Sequence, residues 1–464
     1  MSTSEKQLVR DKVSEAPVRL LWRGRLAGLT EPTEAALAEP AFGRRNLTIA
    51  LALWFVASVS IIAFEGRFHI GIRSVSDAPQ FLYQAEAFLH GHWDIALPPS
   101  VTDVVVIHGK DYIVYPPFPA ILMMPFVAIF GLATSDVLFT AVIASFNLPL
   151  IFLLLEQVRA NGLTRRVCLE NIVIALLAYY GSINLWLSLG GRMWFTAHIV
   201  SFTCVLLSLI LAFRRHYGWS AVLLTCAFWS RSTILLGFPF LFYLAWQDAG
   251  ASHDLERFAS SLWKRMPDWT AVPWRRLIPP AVVTGVMLVL FMIRNALIFG
   301  LPLDTGYAVL IQQHYPIVTT GPFCVCYVPA NVVANFFTFP HITFSGPFDR
   351  HPAFEMLNNG IAVSVFITTP LFLLLFWRNR TRSLMRAALW VTLGLLVVAV
   401  LLFHASGWYQ FGARYLFDGY AYAFLLLALT DVRVDWRFAL LGILGVIINV
   451  LGAHQFWTNN IFHL

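Results

Sequence analysis

Long, uncharged runs of apolar residues recur along the chain from Leu47 almost to its carboxyl end, and short polar blocks separate them. A hydrocarbon layer of roughly 30 Å needs about 20 apolar residues per helix, so this pattern is typical of a polytopic membrane protein. It predicts about eleven transmembrane helices, at residues 47–64, 137–155, 171–189, 197–213, 221–229, 233–246, 281–298, 361–377, 387–403, 416–429 and 438–453. We therefore expect an all-α polytopic membrane protein.

The composition agrees with this interpretation and excludes a soluble protein. Of the 464 residues, 58% are hydrophobic and 12% are charged, whereas a soluble domain has about 45–50% apolar and about 25% charged residues. A net charge of +7 would suggest nucleic acid as a partner for a soluble protein, but here the basic residues lie in short blocks between apolar spans. We expect membrane lipids, and no nucleic acid, as partners.

The basic blocks predict the orientation of the chain. With residues 1–46 in the cytosol, 24 of the 32 Lys and Arg residues fall in cytosolic segments, as the positive-inside rule requires. We expect a multi-pass protein of the plasma (inner) membrane, with its amino terminus cytosolic and its carboxyl terminus outside. The predicted parts are a cytosolic tail (1–46), a first transmembrane helix (47–64), an outer loop (65–135), transmembrane helices with basic cytosolic loops (136–298), a second outer loop (299–360) and carboxyl-terminal transmembrane helices (361–464).

The first outer loop carries signals for juxtamembrane structure. Apolar residues from Phe81 to Leu89 recur at helical spacing, which predicts a short amphipathic helix that Ser76 or Asp77 caps and Gly91 ends. Two β-rich runs in residues 104–115 flank a turn with glycine and predict a small hairpin. The apolar stretch 120–130 is too short to cross and predicts a re-entrant or surface helix.

Two further local features are interpreted structurally. Residues 255–263 show apolar positions at helical spacing among basic residues, which predicts a helix on the inner membrane surface. Cys324 and Cys326 have one residue between them, so a bridge would need a strained loop, and we expect free thiols.

Several of these segments together resemble the polytopic GT-C glycosyltransferases, which include the protein O-mannosyltransferases and the bacterial aminoarabinose and mannose transferases. The matching stretches are SDAPQFLYQAEAFLHGHWD (76–94), GKDYIVYPPFP (109–119), MWFTAH (193–198), FWSRSTILLGFPFL (228–241), RNALIFGLPLDTGY (294–307) and QFGARYLFDGYAYAFLLLAL (410–429). The resemblance implies a GT-C-like bundle. It also implies transfer of a sugar from a polyprenyl phosphate or diphosphate to a hydroxyl of a glycan, lipid or protein on the outer face. Since Ala78 stands where the protein O-mannosyltransferases carry a second acid, a protein acceptor is the less favoured of these.

By position in the first outer loop, the resemblance makes Asp77 the catalytic residue. Sugar transfer to a hydroxyl needs a carboxylate that takes the acceptor proton, and a single base opposite the leaving group gives inversion at the sugar carbon. The competing interpretation is that Asp77 only caps its helix.

The leaving phosphate needs cations, and arginine offers a planar fork of donors for it. Arginines at span ends on the outer side are the candidates, in the order Arg414, Arg231, Arg192 and Arg294. Snorkelling to the membrane surface explains the same arginines without a ligand.

A substrate groove is the third element of the predicted site. Its candidates are Arg73, Tyr115, Trp194, His198, Tyr307 and Tyr409, although an aromatic belt or a buried structural histidine accounts for most of them equally well. We predict no cofactor and no metal site; a divalent ion between outer acids stays an open alternative, since no paired-carboxylate spacing indicates one.

Two rival functions remain. A secondary transporter or lipid-linked-sugar flippase would carry paired inverted halves and ionisable residues at mid-membrane, whereas here the predicted span centres carry almost no charge. An assembly subunit without activity is the third possibility.

Overall fold

The computed structural model describes residues 40–247, 270, 272–344, 352–355, 362–377, 383–407 and 410–458. In chain order the α-helices are α1 (Arg44–Arg67), α2 (Gln80–Leu89), α3 (Phe118–Phe130), α4 (Asp136–Ser145), α5 (Asn147–Ala160), α6 (Cys168–Tyr180), α7 (Asn184–Leu187), α8 (Met193–Phe213), α9 (Tyr217–Phe228), α10 (Phe238–Gln247), α11 (Trp274–Phe299), α12 (Tyr307–His314), α13 (Val328–Val332), α14 (Val365–Thr368), α15 (Leu384–Leu402), α16 (Tyr420–Ala428) and α17 (Trp436–Thr458). The predicted surface helix at residues 255–263 and the tail 1–39 lie outside the described residues.

Six helical segments of the described chain are long and apolar enough to cross a membrane, which confirms a polytopic helical membrane protein. They are Arg44–Arg67, Asp136–Ala160, Met193–Phe213, Trp274–Phe299, Leu384–Leu402 and Trp436–Thr458. Each coincides with one of the eleven predicted spans.

The other five predicted spans correspond to shorter or interrupted helices. The span predicted at 171–189 is α6 followed by a break at Gly181, where an added Cβ would lie 2.5 Å from the Leu177 carbonyl oxygen. The one predicted at 361–377 is divided into α14 and the 3₁₀ helix Pro370–Phe376, because a proline cannot continue the hydrogen-bond ladder. The one predicted at 416–429 begins with the 3₁₀ helix Arg414–Gly419 before α16. The break after α6 and the two 3₁₀ helices therefore lie in segments of the chain that also carry several polar side chains.

The segment predicted to be the first outer loop, residues 65–135, has the predicted elements. Helix α2 is followed by strands β1 (Val104–Ile107) and β2 (Lys110–Ile113), which pair antiparallel with Ile107 opposite Lys110, and then by α3. The turn residues His108 and Gly109 both have positive φ, of 51° and 75°, as a two-residue type I′ turn requires. The predicted cap is wrong: α2 starts after Pro79 and has no side-chain cap, so Asp77 does not cap it.

The buried residues form two cores. The larger one fills the helix bundle, and the smaller one lies under the first outer loop, where Phe81, Val105 and Met123 pack with Met193 and Ala197 of α8. Through this second core the loop is fixed to the start of α8.

The second outer segment departs from the prediction at its cysteines. Cys324 and Cys326 form a disulfide instead of two free thiols. The 3₁₀ turn Val325–Tyr327 allows it, since it brings the two Cα atoms to 5.1 Å, within the range that a bridge spans. Two short strands that were not predicted, β3 (His341–Phe344) and β4 (Pro352–Glu355), also pair here.

Candidate functional site

Asp77, in the segment before α2, and Arg192, directly before α8, form a two-pronged ion pair. Arg192 Nε donates to Asp77 Oδ1 and Arg192 Nη2 donates to Asp77 Oδ2, both at 2.7 Å. The arginine side chain is 8% exposed, whereas that of Asp77 is 52% exposed. The guanidinium also lies over the ring of Trp457, 4.8 Å from its centroid. The carboxylate is thus held in one orientation and still open to the outside.

Two buried carboxylates hold the backbone near this ion pair, one beside Asp77 and the other beside Arg192. Asp136, at the start of α4, accepts hydrogen bonds from the Ser76 backbone N–H at 2.7 Å and from the Ser76 hydroxyl at 2.6 Å. Glu65, near the end of α1, accepts a hydrogen bond from the Gly190 backbone N–H at 3.0 Å. These hydrogen bonds fix the Ser76 backbone to α4 and the Gly190 backbone to α1.

The turn before Arg192 requires glycine. Gly190 and Gly191 have φ of 74° and 64°, and a Cβ on Gly191 would lie 2.4 Å from the Val137 backbone nitrogen. Only glycine tolerates both the conformation and the contact. The glycines therefore place Arg192 against the loop that carries Asp77.

Arg414 is a buried cation beside this pair. It is 5% exposed, and its guanidinium lies 5.6 Å from the ring centroid of Trp194 and 5.4 Å from that of Tyr415. No acceptor among the described residues takes a hydrogen bond from its Nε. Burial lowers the pKa of Arg192, the Asp77 carboxylate opposes this, and the positive charge of Arg414 lowers it further. Two guanidinium groups therefore share this part of the site, and only that of Arg192 is neutralised by a contacting carboxylate within the described chain.

Asp103 faces the same region through Trp194. The indole Nε1–H donates to Asp103 Oδ2 at 2.5 Å. Burial raises the pKa of Asp103, while the Trp194 donor and the positive charges of Arg414 and His314 oppose the shift. Trp194 thus presents its ring to a cation and its N–H to an acid.

A second buried cluster surrounds Asp418. Arg231 Nη2 lies 3.3 Å from Asp418 Oδ2, and His198 Nδ1 lies 3.1 Å from Oδ1. The Thr233 hydroxyl donates to the same carboxylate. Because Asp418 neutralises Arg231, this arginine is less suited than Arg414 to take up a further anion. The ring of Tyr415 contacts both arginines, with its centroid 5.4 Å from each guanidinium.

Two tyrosines complete the described site. The ring centroids of Tyr115 and Tyr307 lie 6.5 Å apart. Burial raises the pKa of both hydroxyls, and the positive charge of Arg231 counteracts it, so both lie near that arginine.

The remaining predicted residues lie elsewhere. Arg294, in α11, donates to the carbonyl oxygens of Ile113 and Tyr115 at 3.4 and 3.5 Å and to Asn295 Oδ1 at 3.0 Å, so it fixes the end of the hairpin to α11. Arg73 is exposed on the loop before Asp77. Tyr409 lies outside the described residues.

Sequence reasoning did not select Asp418, Tyr415 or Asp103. Tyr415 and Asp418 stand one and four positions after Arg414 in the segment RYLFD, and this spacing is the signal that could have found them. In the part of the chain that the structure describes, no three His, Cys, Asp or Glu side chains are grouped so that they could hold a metal ion.

The arrangement combines an oriented, exposed carboxylate with a buried guanidinium that no described carboxylate contacts. The first group can accept a proton from a hydroxyl, and the second can stabilise an anion that enters the site.

The comparisons with known proteins give one solved structure to report. The chain is similar to the crystal structure of ArnT from Cupriavidus metallidurans bound to undecaprenyl phosphate, with 14% sequence identity and a TM-score of 0.43. The match covers 86% of this chain and 62% of that one, so this chain spans about three fifths of the length of that protein. No family model and no curated protein matches the chain.

Proposed function

We propose that this protein is a membrane glycosyltransferase that moves a sugar from a polyprenyl-phosphate-linked donor to an acceptor hydroxyl on the outer face of the plasma membrane. One observation carries the proposal: the exposed Asp77 carboxylate is oriented by Arg192 beside Arg414, a buried cation that no described carboxylate contacts. A buried charge is costly unless a partner neutralises it, and a phosphate group would supply that partner.

In the proposed reaction Asp77 is the general base. Arg192 uses one lone pair on each carboxylate oxygen, so each oxygen retains a lone pair for the acceptor hydroxyl. The acceptor oxygen gives its proton to Asp77 and forms a bond to the sugar carbon. The bond between that carbon and the phosphate oxygen breaks, and the lipid phosphate leaves with the electron pair. Attack opposite the leaving group inverts the sugar carbon.

Arg414 stabilises the charge on the departing phosphate in this scheme. Its guanidinium is fixed between Trp194 and Tyr415 before substrate binds, so no reorganisation is needed when the charge develops. Tyr115, Tyr307 and Trp194 would line the path of the sugar or the lipid.

Mass analysis of envelope glycans and glycolipids tests this function. Cells that lack the chain should lose one sugar, which the wild-type gene restores and Asp77→Asn does not, at equal expression. Asp94→Asn is the matched control, because it makes the same change on another acid of the same loop, one that pairs with Lys110 at 3.0 Å. Restoration by Asp77→Asn would refute the proposal.

A flippase or transporter predicts a different outcome. Purified wild-type protein, supplied in detergent with an envelope extract that contains both the cell's lipid-linked sugars and its acceptor glycans, lipids and proteins, should transfer the sugar to an acceptor hydroxyl and release free polyprenyl phosphate. Asp77→Asn should bind the lipid and release none. A transporter would release none in either case.

The proposed orientation can be tested separately. We propose that the amino terminus is cytosolic and that Asp77 faces outward, since 24 of 32 basic residues then lie inside. Alkaline phosphatase fused after Leu464 should be active in intact cells. A second reporter, one that works only in the cytosol, should be inactive at the same position, and activity of that reporter would contradict this topology.

A further inference from the structure

A cavity of about 670 Å³ lies between α9 and α11, at the far end of α8 from Arg192. Arg192 precedes α8 and Arg214 follows it; the 21 residues between them span about 31 Å at 1.5 Å per residue, the thickness of a hydrocarbon core. The cavity therefore belongs to the opposite membrane surface from Asp77. It has no part in the proposed transfer site.

The wall of this cavity is strongly basic at one end. Arg215 and His216, in the turn between α8 and α9, face Arg275 and Arg276 of the first turn of α11. An adjoining cavity of about 450 Å³ shares Arg215 and His216 and adds Arg214. Three arginines from two separate chain segments thus line the recess, and a fourth, Arg214, lines the adjoining cavity.

The rest of the wall is apolar and continues onto the lipid-facing side of α11. Val222, Pro279 and Val283 line the cavity, and Val282 and Val286 beside them are exposed by 57% and 54%. Trp219 is 68% exposed at the rim, the position that tryptophan prefers at a membrane surface. The recess is therefore charged at the level of lipid head groups and apolar along the level of acyl chains.

We propose that this cavity binds an anionic phospholipid of phosphatidylglycerol type from the leaflet opposite the transfer site. The phosphodiester lies against Arg215, Arg275 and Arg276, and one acyl chain follows the apolar face of α11. Basic pockets between transmembrane helices bind anionic head groups in this way. A zwitterionic lipid carries an ammonium group that the arginines repel, so the site discriminates by net charge.

Native mass spectrometry of the purified full-length chain tests the proposal. Wild-type protein should retain phosphatidylglycerol in preference to phosphatidylcholine of the same acyl chains. The double variant Arg275→Gln/Arg276→Gln should bind phosphatidylglycerol about thirtyfold more weakly. Each arginine near an anionic lipid surface contributes a similar share of the binding free energy, and the variant removes two of them.

The matched control is Arg44→Gln/Arg45→Gln. It also removes two adjacent arginines from the first turn of a spanning helix, outside the residues that line the cavity. Equal loss of phosphatidylglycerol in the two double variants would overturn the proposal, because it would show a diffuse attraction to basic residues.

A second variant tests the recess without changing its charge. Val283→Trp should fill the cavity and also abolish preferential retention of phosphatidylglycerol. Unchanged retention in this variant, with a melting temperature like that of wild type, would show that no head group is seated in the cavity and would refute the proposal.

Discussion

Arg414→Met separates a phosphate-binding arginine from a structural one. The substitution keeps much of the side-chain volume and removes the charge. In the lipid-free protein Arg414 is buried, and its Nε meets no acceptor among the described residues. Because the site is buried, its two ring contacts, with Trp194 and Tyr415, are worth about 2 kcal/mol each. Together they are comparable to the several kcal/mol that desolvation of an ion costs, so replacement by an apolar side chain should leave stability close to that of wild type.

The effect on lipid binding should be large. A hydrogen bond to a charged group contributes about 1.5–3 kcal/mol, so the loss of one or two such bonds should weaken binding by about 2–4 kcal/mol. That corresponds to about 30-fold to 1000-fold in Kd. The assay is titration of purified protein with undecaprenyl phosphate, with thermal unfolding of the same samples in its absence.

Arg294→Met is the contrasting variant. Its guanidinium is also buried, but it donates to the carbonyl oxygens of Ile113 and Tyr115 and to Asn295. Loss of these bonds leaves buried acceptors unsatisfied, so this variant should unfold at a lower temperature. The reasoning is refuted if Arg414→Met melts well below wild type and still binds undecaprenyl phosphate with wild-type affinity.

Three further results are expected. Asp136→Ala removes both hydrogen bonds to Ser76 and should lower the rate of sugar transfer roughly tenfold, because the loop that carries Asp77 is then less firmly held. Lipid affinity should be unchanged, and Asp136→Asn should stay close to wild type. A loss of affinity without a loss of rate would contradict this role. Lys110→Ala should leave transfer unchanged, because Lys110 lies at an exposed hairpin tip, and a tenfold loss would show that the tip contacts substrate. Burial lowers the pKa of His404 from 6.5 to about 4, so the folded chain resists protonation and stability should fall as the pH drops below about 6.5 toward 4. His404→Asn should flatten this dependence of the melting temperature, and an unchanged profile would exclude His404 as its source.

The sequence predicted the elements that depend on interactions between residues close together in the chain. The hairpin follows from two β-rich runs around His108 and Gly109, and the long spans follow from apolar length alone. The same reasoning failed where a tertiary contact replaces a local one. Ser76 was a candidate cap for α2, but its hydroxyl and backbone N–H are bonded to Asp136, 60 residues along the chain.

The candidate site was predictable residue by residue but not as an arrangement. Five of its arginine and tyrosine members stood out in the sequence, the arginines at predicted outward span ends and the tyrosines in predicted outward segments: Arg192, Arg231, Arg414, Tyr115 and Tyr307. Their pairing did not, because a sequence gives no sign that Asp418 contacts Arg231, which lies 187 positions away along the chain. Charge pairing decides which arginine is available to a ligand, and charge pairing is a property of the fold.

The structure also explains why the Asp77 carboxylate can be both oriented and exposed. A base held by a helix cap would have its oxygens directed at backbone N–H groups, and one held by a buried pair would be closed to an acceptor. Here the buried partner is Arg192, and two further carboxylates, Glu65 and Asp136, fix the chain beside each member of the pair from the ends of separate membrane helices. The orientation of Asp77 thus depends on contacts with α1, α4 and the turn before α8, whereas its side chain stays 52% exposed. The carboxylate is therefore oriented by buried partners without being buried itself.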